Sequence, residues 1–155
     1  MKEEIIKDYE QIRKKYGLPE FDGINSEFEI SAIEDTDFLL RGIKNKIIEK
    51  LEFLTGILHP ILQPDTNSFT DLHECRAFSD EDKKQVFAIY GRLMTLYRNS
   101  LELSLVNDDR QIAEFINDIY KKLPELRQSS VLYIKKMRET WEKEFPAEED
   151  LGYLG

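Results

Sequence analysis

A chain of 155 residues, 34% charged and 41% hydrophobic, has the size and balance of one folded domain and excludes a disordered or fibrous protein. The net charge of −9 repels nucleic-acid backbones, and the single cysteine, Cys75, excludes an intrachain disulfide and a cysteine-based zinc cluster. No apolar run is long enough to span a bilayer, and Glu3 and Glu4 do not fit a secretory leader, so the expectation is a cytoplasmic protein with no membrane contact.

Acidic residues gather between the apolar-periodic segments. Residues 17–40 hold seven Asp or Glu and no Lys or Arg, and residues 63–82 hold six acids against Arg76 alone. The end of the chain, from Glu144, holds four acids and no base. This division suggests helices joined by acidic connections.

In chain order, the first helix is expected over residues 2–16, where Ile5, Tyr9, Ile12 and Tyr16 share a face. Gly17, Leu18 and Pro19 supply its stop. Residues 20–35 read as an extended acidic connection, because Glu27-Phe28-Glu29-Ile30 alternates like a strand that has no partner. A second helix starts near Thr36 or Asp37 and carries Leu39, Ile43, Ile47, Leu51, Leu54, Leu58 and Ile61 on one stripe. Pro60 should kink or end it. Residues 63–77 read as a second loop. Ser79 caps a third helix reaching about Leu105, with Asp82 a short substitute for the usual Glu of a capping box. Asn107 or Asp108 caps a fourth, Pro124 separates it from a fifth, and Pro146 ends the fifth. The expected architecture is therefore an all-α bundle of about five helices over residues 1–145. An acidic tail over residues 146–155 follows it.

Carboxylates are the first place to look for chemistry. Glu49-x-x-Glu52 sits on the second helix, and Asp71-x-x-Glu74 follows in the second loop. This pattern resembles the paired magnesium-binding motif of all-helical nucleotide pyrophosphatases, with the second pair in reversed order. The resemblance implies a magnesium-dependent hydrolase with Glu49, Glu52, Asp71 and Glu74 as metal ligands. The residues themselves have a plainer reading, in which Glu49 and Glu52 are solvated partners of Lys46 and Lys50. The stretch Asp65–Asp71 begins like a calcium loop but lacks the required Gly and the final Glu. His73 and Cys75 complete no zinc spacing and no nucleophile pair.

Two binding readings remain. Lys121, Lys122, Arg127, Lys135, Lys136 and Arg138 could form a basic face for RNA, although no aromatic residues are interleaved for base stacking. Trp141, Phe145, Tyr153 and Leu154 are apolar residues near the chain end, of the kind that anchor protein partners. The leading expectation is a non-enzymatic helical protein, with no metal or cofactor, that binds another protein or a second copy of itself.

Overall fold

The structure is a computed structural model and describes residues 2–143. It is built of helices, with no strand among the described residues. In order they are α1 (Lys2–Tyr16), α2 (Phe21–Phe28), a 3-10 turn (Ile30–Ala32), α3 (Leu39–Leu62), α4 (Phe69–Cys75), α5 (Asp80–Val106) and α6 (Asp109–Glu142). The expected all-α bundle forms, with two short helices added and two expected ones fused.

α3 lies at the centre and touches every other helix. Its stripe of Ile43, Ile47, Leu51, Leu54, Leu58 and Ile61 is buried throughout. Each such side chain contributes roughly 1.5–3 kcal/mol on leaving water. α5 runs antiparallel to α3. The Tyr97 hydroxyl donates to Glu52 at 3.0 Å, and the Tyr90 and His59 rings lie 6.1 Å apart. α6 runs antiparallel to α5, as Tyr133–Gln85 and Lys136–Asp82, both 2.7 Å, fix the register.

The helix ends follow local chemistry. Gly17 takes a left-handed φ of +66°, and Gly17 and Leu18 both donate to the Arg13 carbonyl, which closes α1 as expected. Tyr9 then ties the exit down by donating to the Pro19 carbonyl at 2.6 Å. Ser79 and Asp82 form both bonds of the capping box, at 3.0 and 3.1 Å, so Asp is long enough here. Asn107 ends α5 in the left-handed region and Asp108 caps α6 through Gln111.

Several expectations are corrected. The 20–35 segment is not extended. Phe21, Ile24 and Phe28 recur at helical steps and bury one face of α2. The apparent alternation at Glu27–Ile30 comes from Glu29, whose φ of 53° ends the helix and swings Ile30 into the core. The 63–77 segment contains α4. α3 begins at Leu39 and passes through Pro60 for two more residues. Pro124 does not divide two helices. It removes one backbone bond, at a cost of about 3 kcal/mol in a helix interior. Ile116, Ile119, Leu123 and Leu126 keep one buried face across it, and their combined burial outweighs that cost.

Gly23 of α2 lies against the Tyr120 side chain of α6. A Cβ there would collide with the Tyr120 hydroxyl. We expect Gly23→Ala to lower stability in urea unfolding by about 1–3 kcal/mol. Adding Tyr120→Phe should recover part of that loss; no recovery would show that the contact does not set the spacing.

Candidate partner-binding site

The described residue among the expected partner anchors is Trp141; Phe145, Tyr153 and Leu154 lie outside the described residues. Trp141 sits at the end of α6, where α4 packs. α4 forms because the preceding loop supplies its own hydrogen bonds. Ser68 caps the Asp71 amide, Asp71 accepts from the Asp65 amide at 2.9 Å, and Asp65 accepts from the Asn67 amide at 2.9 Å. The loop that resembled a calcium site thus spends Asp65 and Asp71 on its own backbone.

α4 delivers Phe69, His73 and Glu74 to the end of α6. His73 is buried, with Nε2 3.1 Å from the Thr140 carbonyl. A carbonyl only accepts, so Nε2 carries a proton and satisfies one of the open carbonyls of the α6 C-terminus. The Trp141 ring lies 4.2 Å from the His73 ring, and its Nε1 donates to Glu74 at 3.1 Å. Phe69 stands 6.1 Å from both rings. Phe69 and Trp141 each remain 42% exposed. The result is a half-exposed aromatic pair on a buried, hydrogen-bonded base.

The four carboxylates of the hydrolase alternative go to four different tasks. Glu49 pairs with Lys46 at 3.4 Å, and Glu52 accepts from Tyr97. That bond holds the Tyr97 hydroxyl above its ordinary pKa. Asp71 closes the α4 loop and Glu74 holds Trp141. Among the described residues no three His, Cys, Asp or Glu are grouped to hold a metal ion. Lys50 does not serve Glu49 or Glu52, contrary to expectation.

The basic face is largely occupied. Lys122 pairs with Asp118, Arg127 with Glu27, Lys136 with Asp82, and Arg138 with Glu142. Among the described residues, only Lys121 and Lys135 of the six basic positions make no ion pair. No described helix is long and apolar enough to cross a membrane.

One charged cluster has no precursor in the sequence reading. Glu27 on α2, with a side chain only 15% exposed, receives Arg127 from α6 and Lys50 from α3. Lys50 also donates to the Glu27 backbone carbonyl at 2.6 Å. The Arg127 hydrogen bond, reinforced by Lys50, holds the Glu27 carboxyl below the ordinary carboxylate range. Lys44 is a second surprise. It is buried on α3, and burial together with the nearby Arg41 charge lowers its pKa.

No family model matches the chain, and comparisons with curated proteins and with solved structures give no match either.

The Glu27 cluster makes stability depend on acid in one direction. With the folded-state pKa depressed, its contribution is complete above the ordinary carboxylate pKa and is lost as pH falls through the folded value. Glu27→Gln should cost about 1–2 kcal/mol at neutral pH, between the values for exposed and buried pairs. The difference from the unaltered chain should shrink steadily below about pH 4.5. Urea titrations from pH 7 to pH 3 check this; a constant difference would disprove the linkage.

Proposed function

We propose that this chain is a non-enzymatic binding protein that engages another protein through the Phe69–Trp141 face. One observation carries the reading. Trp141 keeps 42% of its surface in water while His73 and Glu74 hold its ring in place. Tryptophan is enriched among residues that dominate interface energies. An anchor already fixed in one orientation loses little freedom on binding, which favours affinity. Phe69 widens the apolar surface, and Glu74 gives it a polar edge of the kind that surrounds interface cores.

The test compares partner recovery from native extract by the full chain and by Trp141→Ala. Leu132→Ala serves as a control, since Leu132 is exposed elsewhere on α6. With a recovered partner purified, Trp141→Ala should weaken binding by about 2 kcal/mol or more, and Leu132→Ala should leave it unchanged. Trp141→Ala should lower folding stability only modestly, by about 1–2 kcal/mol, so binding measured on folded protein remains interpretable. Equal affinity for both variants would remove the reading.

A further inference from the structure

α2 cannot stand as a helix on its own. Its eight residues fall below the roughly 12–15 at which an isolated helix becomes even marginal in water. Asp22, Gly23, Asn25 and Ser26, half of its length, are weak helix formers, and Glu20 at its N-cap supplies no capping side chain. Its helicity depends on docking, so leaving the bundle and melting are one event. Both ends of the segment turn through left-handed residues, Gly17 at a φ of 66° and Glu29 at a φ of 53°. Glu29 is not glycine, so its side chain makes that conformation costly, and undocking releases it.

Two kinds of contact hold α2 closed. Phe21, Ile24 and Phe28 are buried, with Phe21 edge-on to the Tyr9 ring at 5.6 Å and Gly23 against the Tyr120 hydroxyl. The second contact is the clasp at Glu27. Arg127 from α6 and Lys50 from α3 meet on its carboxylate, and Lys50 also takes its backbone carbonyl, one of the open carbonyls at the end of α2. Among the described residues, no other ion pair ties residues 18–30 to α3 or α6. Neighbouring charges do not substitute for it. Lys46 and Glu49 line the same recess but pair with each other, Glu29 beside them makes no ion pair, and Arg13 on α1 goes to Glu10 and Glu20.

We infer that residues 18–29 form an acid-sensitive lid, which undocks and melts as a unit while the long helices stay folded, and that the Glu27 clasp sets how often it opens. Protonating Glu27 leaves Arg127 and Lys50 without their anion and so favours the open form. In the closed form the carboxyl is held below its ordinary range by the Arg127 hydrogen bond. Closure is therefore complete above that range and weakens as pH falls through the folded value. The freed backbone regains conformational entropy, which offsets the apolar surface exposed. Opening uncovers Tyr9 and Tyr120 and leaves two cations at the edge of the exposed core. This inference does not rest on the Phe69–Trp141 face.

Hydrogen–deuterium exchange of the full chain, read by mass spectrometry, tests it. At neutral pH the amides of residues 24–29 should exchange about tenfold or more faster than the central amides of α3, α5 and α6. Glu27→Gln should speed them by about a further tenfold. Ser79→Ala removes the α5 cap and lowers the stability of the whole chain without touching α2. It should speed the central α5 amides and leave those of α2 unchanged. Acidification to about pH 4, with intrinsic rates corrected, should reproduce part of the Glu27→Gln effect at α2. Protection of α2 equal to that of α5, or equal acceleration of α2 by both variants, would mean that α2 opens only with global unfolding and overturns the inference. No acceleration by Glu27→Gln overturns the clasp, and an α2 rate indifferent to acid overturns the trigger.

Discussion

Burial of one face of α3 is the constraint from which the other placements follow. Ile43, Ile47, Leu51, Leu54, Leu58 and Ile61 must leave water together, and no single neighbour is wide enough to cover them. α5 and α6 close the long sides, and α1 and α2 cover the flank near the start of α3. Hydrophobic attraction is not directional, so it does not say where along α3 the small α2 helix should stop. The Glu27 cluster does. One carboxylate holds a cation from α3 and a cation from α6, and Lys50 grips the same residue's backbone. Ion pairs of this kind add little net energy but strongly disfavour arrangements that leave one charge unpaired.

Long periodic faces were legible in the sequence, and local exceptions less so. α1, α3 and α5 fell where period-3.6 stripes placed them, and Gly17, Ser79 and Asp108 ended or began helices as side-chain chemistry requires. α2 was missed although Phe21, Ile24 and Phe28 have helical spacing, because two-residue alternation around Phe28 imitated a strand. A charge-poor core position flanked by acids looks the same in both geometries over four residues. Pro124 looks like a boundary by local backbone chemistry, but a buried tertiary face runs through it. The Glu27 cluster was not legible at all. Its members are 23 and 100 residues apart, and opposite charges are common enough that distance in sequence hides the pairing.

The acidic composition also has a less exotic distribution than the sequence suggested. Asp65 and Asp71 fold a loop, Asp82 and Asp108 cap helices, and Glu27 joins three helices. Carboxylates that look like a ligand set in one dimension are each taken by a different partner in three: Glu49 by Lys46, Glu52 by Tyr97, Asp71 by the Asp65 amide and Glu74 by Trp141. Aromatic residues show the opposite behaviour. Trp141 and Phe69 are held by neighbours at the end of α6, yet each keeps 42% of its surface exposed.

Pro124 has a bearing on how α6 fails. Without an amide proton at that position, the backbone ladder of this long helix is interrupted opposite the Tyr120 carbonyl. One rung of hydrogen bonding is missing there, between the helix's two lengths, and the packing of Leu123 and Leu126 into the core helps hold the helix continuous across it. Loosening of the interior would therefore let the two lengths melt as separate units, with the seam at the proline, where a helix of ordinary sequence would fray only from its tips.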